Sequence, residues 1–191
     1  MTDGEISTTR RRYPRRYGRR MLFEQWGARP EEIDGPVVGD DLVPDATLLA
    51  TRSISLDAPP DQVYPWLAQM GFGRAGWYSY DWLDNLGRRS ATEIHPEWQV
   101  TEGGTVPGGP IEFTAAVAQP GDAFVLAILR PRMGFTLAYD LRSEAGGTRL
   151  VTRLRTRLDV PAGRWIERLI LGPGDGVMVR RQLLGLQART R

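Results

Sequence analysis

The sequence predicts an α+β fold: a curved antiparallel sheet wrapped around a long C-terminal helix, with two short helices after the first strand. Three observations carry this. From residue 93 to residue 158 alternating segments are separated by short turn signals, namely Gly103-Gly104, Pro107-Gly108-Gly109-Pro110, Pro120-Gly121 and Gly146-Gly147. Connections this short join neighbouring strands as antiparallel hairpins. Between residues 57 and 86 the apolar spacing is helical, and it becomes helical again after residue 163. Residues 175–189 carry two apolar stripes, Val177/Leu184/Ala188 and Val179/Leu183/Leu186, so the last helix is buried on more than one side.

In chain order, residues 1–20 read as a disordered basic arm with seven arginines between positions 10 and 20. Residues 21–47, with Pro30, Pro36 and Pro44, read as an irregular entry segment anchored by Leu22 and Trp26. Residues 48–191 read as the main folded domain. Its first strand, 48–56, places Leu48, Ala50, Ile54 and Leu56 on one face, with Arg52 among them against the pattern. Asp57-Ala58-Pro59-Pro60 opens a helix whose Val63, Trp66, Leu67 and Met70 share a face, and Gly71 stops it. Residues 77–86 fit a second short helix, with Trp77, Asp81, Asp84 and Asn85 along one side. Candidate strands follow at 93–99, 111–118, 122–130, 133–142 and 148–158. In the last, Leu150, Leu154 and Leu158 face one way while Arg149, Arg153, Arg155 and Arg157 form a ladder facing the other, which reads as a solvated convex surface. Residues 164–171 and 175–189 are helical, separated by Gly172-Pro173-Gly174.

Composition narrows the chemistry. The 191 residues contain no cysteine, no lysine and one histidine, His95. Thiolate nucleophiles, disulfides, Schiff-base lysines and histidine-rich metal sites are thereby excluded. No metal and no cofactor is expected. Outside the first 20 residues, 18 arginines face 21 acids, so the body is slightly acidic and the basic pI belongs to the arm. No apolar run approaches membrane-spanning length, and the expected address is the cytoplasm. The arm's arginines, interleaved with Tyr13 and Tyr17, suit nucleic acid or an anionic membrane, but a solvated tail without a dedicated ligand is the favoured reading. The oligomeric state is not legible.

Residues 71–85 concentrate glycines, large aromatics, an arginine and two carboxylates. Aromatic faces beside polar groups suit a concave small-molecule site. Asp81 and Tyr78 are the first candidates for acid–base work, a carboxylate raised by a dry wall and a phenol serving as base and acid. The competing reading pairs Asp81 with Arg74 or a turn and leaves Tyr78 in the core. Arg74 suits an enolate, a carboxylate or a phosphate-bearing group, or else it clamps Asp81 or Asp84. His95 is the fourth catalytic candidate, although alternation over 93–99 turns it to water, opposite Trp98. Trp77, Tyr80, Trp82, Asn85, Trp98, Phe113, Tyr139, Met178 and Arg52 are candidates for the ligand-binding wall. The carboxylates Asp81 and Asp84, three apart, read otherwise as a solvated helix face.

A family resemblance rests on Trp26-Gly27-Ala28 with Gly39-Asp40-Asp41, Ala50-Thr51-Arg52, Ala58-Pro59-Pro60 with Trp66-Leu67, and residues 69–85. It continues through Pro96-Glu97-Trp98-Gln99, Thr148-Arg149-Leu150-Val151 and residues 178–185. These resemble the helix-grip (SRPBCC) superfamily of START lipid-binding domains, the birch-pollen allergen and polyketide cyclase/dehydrases. The similarity is nearest to cyclase/dehydrase-like members of actinobacterial type and covers about residues 26–188. The resemblance implies a hydrophobic ligand in an internal cavity. It also implies a cofactor-independent cyclase or dehydrase, or alternatively a non-catalytic carrier of a hydrophobic metabolite or lipid.

Overall fold

The computed structural model describes residues 25–161, 163–167 and 172–191. The basic arm and Leu22 lie outside them. Helix α1 (Pro30–Asp34) precedes strand β1 (Leu48–Leu56), helix α2 (Pro60–Ala68) and helix α3 (Asp81–Asp84). Strands β2 (Thr105–Pro107), β3 (Glu112–Gln119), β4 (Ala123–Arg130), β5 (Met133–Glu144) and β6 (Gly147–Leu158) follow, then α4 (Gly163–Ile166) and α5 (Gly172–Arg189).

All six strands form one open, curved antiparallel sheet in the order β1-β6-β5-β4-β3-β2. Strands β2 to β6 form a five-stranded meander, of which β3 to β6 are the expected strands, and β1 closes its far edge against β6 with Arg52 opposite Thr152. Helices α2 and α5 lie on the concave face: α2 packs on β4, β5 and β6, and α5 on β1. The main core fills this space with Ile54, Leu67, Met70, Phe124, Leu126, Leu150, Leu154, Leu183 and Leu186. The architecture is thus the expected α+β grip of a sheet on a C-terminal helix.

The convex face differs from the sequence reading. The arginine ladder of β6 is buried: Arg149 is 8% exposed, and Arg153 and Arg155 are 3% each. Residues 25–47 cross this face as a strap and supply the partners. Arg149 makes a two-pronged bridge to Glu32, with Nε to Oε1 at 2.7 Å and Nη2 to Oε2 at 2.9 Å. Arg153 reaches Asp40 at 2.7 Å and donates to the carbonyls of Glu32, Ile33 and Gly35. Arg155 donates to the carbonyls of Val43 and Pro44, and Arg157 meets Asp45 at 2.8 Å. Beneath the strap lies a second small core of Val37, Val125, Ala138 and Val151. The guanidinium fork suits this duty because it satisfies a carboxylate and several carbonyls at once. Alternation alone does not distinguish a face turned to water from one roofed by an irregular segment rich in acids and free carbonyls.

Two further elements depart from expectation. Residues 93–99 form no strand. Pro96 opens a 3-10 turn over Pro96–Trp98, and the first meander strand is β2, beyond Gly103-Gly104. The second short helix shrinks to Asp81–Asp84, because Tyr78 sits at φ 57° and Tyr80 is extended. Trp77 therefore shares no helical face with Asp81 and Asp84. Among the described residues, no helix is long and apolar enough to cross a membrane.

Candidate functional site

The block 71–91 is a loop framed by its own polar side chains. Gly71 and Gly76 pair backbone to backbone, closing a tight turn. A side chain at Gly76 would meet the Ser90 hydroxyl at 2.5 Å, so the close approach of the two ends requires glycine. Arg74, inside this turn, donates to the Met70 carbonyl at 2.7 Å and the Trp98 carbonyl at 3.5 Å, while its Nε is buried without a partner. It bridges neither Asp81 nor Asp84. Burial lowers its pKa.

Asp81 accepts from the Ser90 hydroxyl at 2.5 Å and from the Ser90 amide at 3.1 Å. The same hydroxyl accepts the Tyr78 amide. Asn85, fully buried, accepts the Gly73 amide and donates to the Arg88 carbonyl. The Tyr78 ring lies beneath the Arg189 guanidinium, 4.6 Å from its centroid. Its hydroxyl donates to the Trp66 carbonyl at 3.0 Å and accepts from Gln69 at 2.9 Å. Burial pushes the phenol well above its ordinary pKa, against the pull of Gln69 and of the Arg189 and Arg74 charges.

His95 stacks on Trp98 with ring centroids 4.1 Å apart and lies between Glu97 at 3.3 Å and Glu93 at 3.8 Å. The 3-10 turn, replacing the strand, puts His95 and Trp98 on the same side. None of the four side chains Asp81, Tyr78, Arg74 and His95 hydrogen-bonds another.

Asp84 is different. Both of its carboxylate oxygens are shielded from solvent and have no hydrogen-bond partner. Burial, and then the neighbouring Asp81 charge, raise its pKa to about 6. Its proton affinity is that of a group that titrates near neutrality.

The wall candidates fall into separate groups. Trp77 and Phe113 meet edge to face at 5.7 Å, and Phe113 lies 5.6 Å from Phe135, giving a half-buried aromatic trio at one end of the concave face. Tyr80 is half-buried, and Trp82 is 72% exposed. Met178 offers its carbonyl to the Ser79 hydroxyl. Deep in the concave face the register aligns Arg52, Thr152, Tyr139 and Phe124 in one row across β1, β6, β5 and β4. Arg52 and Tyr139 are fully buried. The Tyr139 hydroxyl donates to Gln182 of α5 at 2.8 Å, and Gln182 in turn contacts the Met70 sulfur at 3.3 Å. Toward the trio, Glu167 is 1% exposed and accepts from Thr47 and Thr156.

Sequence reasoning missed Gln182, Glu167 and Ser90. Gln182 had a signal, being the polar residue between Val179 and Leu183 on the inner side of α5. Ser90 had none, since nothing local ties it to Asp81. A groove of about 560 Å³ bounded by Val43, Pro44, Leu129, Met133 and Arg157 lies at the strap's end, away from all these groups.

Neither a family model nor a curated protein matches the chain. Solved structures do. A Chromobacterium violaceum protein aligns with TM-score 0.47 and 14% identity over 74% of this chain and 96% of that one. Aha1 from Colwellia psychrerythraea, solved as a dimer, gives 0.47 and 15% over 75% and 96%. DynU16, from the dynemicin biosynthetic locus, gives 0.42 and 16% over 74% and 48%. At such identities and scores, none of these likenesses brings a ligand or an activity to this chain.

Proposed function

We propose that this protein binds a hydrophobic small molecule bearing an anionic or carbonyl group, held on the concave face between the sheet and α5. The observation that carries this is the polar row in the apolar interior: Arg52 on the core face beside Thr152 and Tyr139, with Gln182 descending from α5. Apolar residues of similar volume would stabilise a core as well or better. A buried arginine among them suits the polar end of a ligand, and the aromatic trio suits its apolar end. Phe135 and Tyr139 are four residues apart on β5, so these ends are separated by about 13 Å. The 71–91 loop is the wall beside this space, with Asp81, Ser90 and Asn85 engaged within the loop.

The test is titration with 1-anilinonaphthalene-8-sulfonate, an apolar anion, alongside native mass spectrometry of freshly purified protein. Saturable one-to-one binding is expected. It weakens about tenfold in Arg52→Met and less in Gln182→Leu, each with a cooperative melt. Equal affinity in both variants, or binding without saturation, overturns the reading.

A second reading, a cyclase/dehydrase-type acid–base enzyme, is favoured by one observation, the unpartnered Asp84 carboxylate with its pKa near neutrality. In it Asp84 takes a proton from an acidic carbon of a poly-β-carbonyl chain. Asp84→Asn then abolishes turnover and leaves sulfonate affinity unchanged. Turnover surviving in that variant removes this reading.

A further inference from the structure

Trp82, Leu83 and Leu86 are 72%, 54% and 77% exposed, three large apolar side chains within five residues. They stand on a rigid support. Asn85 between them is fully buried and bonded on both sides, Asp81 holds Ser90, and Ser79 is fastened to α5 through the Met178 carbonyl. Leu86 adopts φ 51°, a left-handed backbone that leucine rarely takes, and its side chain gains no burial there.

Within residues 81–89 the exposed charges are both arginines. Asp81 turns inward onto Ser90, and the oxygens of Asp84 are shielded. Arg88 and Arg89 follow directly and are exposed. Residues 81–89 thus present apolar and cationic groups to solvent.

We propose that the Trp82-Leu83-Leu86 tip docks the protein onto an anionic lipid surface, its apolar side chains entering the interface while Arg88 and Arg89 meet the headgroups. A tryptophan with flanking leucines and arginines is the composition that partitions into the headgroup boundary, and each arginine near an anionic leaflet adds attraction that salt screens. Ligand binding on the concave face is a separate property with its own readout.

The experiment is flotation of the full chain with vesicles of phosphatidylcholine alone or mixed equally with phosphatidylglycerol. Binding is expected to the mixed vesicles and not to the neutral ones. It falls roughly tenfold in the double variant Trp82→Ser, Leu86→Ser, whose melting temperature is unchanged because both side chains are exposed. Arg88→Gln with Arg89→Gln weakens binding and flattens its dependence on salt. The proposal is overturned if the wild type ignores anionic vesicles, or if the Trp82/Leu86 variant floats as well as wild type while a chain lacking residues 1–20 does not. It is equally overturned if the wild type is a dimer that these substitutions dissociate, which assigns the tip to a second copy.

Discussion

Replacing Arg153 by methionine removes five hydrogen bonds between β6, β1 and the strap and leaves Asp40 with a weaker partner, Arg155 at 3.5 Å. Breaking a buried pair from one side strands the other charge, so a loss of about 3–5 kcal/mol is expected from urea titration at neutral pH. Glu32 makes the same network sensitive to acid. Burial alone would raise its pKa, but the bonds from Arg149 and the Arg29 amide win and hold it at about 2, below its ordinary 4.5. A folded-state pKa below the unfolded one gives stability that is present above pH 4.5 and is lost as pH falls toward 2. The difference corresponds to about 3 kcal/mol, and Glu32→Gln should remove most of the slope of stability with pH in that window. A slope that survives in the variant places it elsewhere. At this scale the sequence was legible for residue type and face and silent about partner. The β6 alternation located all four arginines, but the acids that neutralise three of them lie more than 100 positions earlier. Nothing local in Asp81, Tyr78 or Arg74 announced that each is engaged in holding a loop.

Elements were legible where one periodicity held over their whole length. Strands β3 to β6 and helices α2 and α5 came within a few residues of their expected bounds, because apolar alternation or helical stripes run through each. The reading failed where punctuation overrode pattern. Residues 93–99 alternate like a strand, yet Pro96 withholds an amide and turns the chain. Residues 77–86 have helical spacing, yet Tyr78 adopts a left-handed backbone that no apolar pattern reports. That distortion lets α5 approach: a Cβ on Gly185 would lie 2.1 Å from the Tyr78 carbonyl oxygen. Gly185→Ala should therefore push α5 off the loop despite the better helix propensity of alanine. A loss of about 2–4 kcal/mol is expected in chemical denaturation, with the Tyr78 contact to Arg189 disrupted. A variant as stable as wild type would mean that the helix slides without penalty.

Across the whole molecule the sheet is buried on both sides, by α2 and α5 on one face and by an irregular strap on the other. A chain beginning at residue 47 would expose Val125, Ala138 and Val151 together with Arg149 and Arg153, deprived of Glu32 and Asp40. It should aggregate or remain unfolded, as judged by circular dichroism and limited proteolysis. A soluble, cooperatively melting product would show that the strap is only an ornament of the fold. The pairing of β1 with β6 also has a consequence in time. Leu48 meets Thr156, and Glu32 meets Arg149, across gaps of more than 100 residues. During synthesis, at about 5–20 residues per second, the strap and first strand leave the ribosome several seconds to tens of seconds before any partner exists. The last long strand to emerge, β6, is the one that joins the first strand to the rest of the sheet.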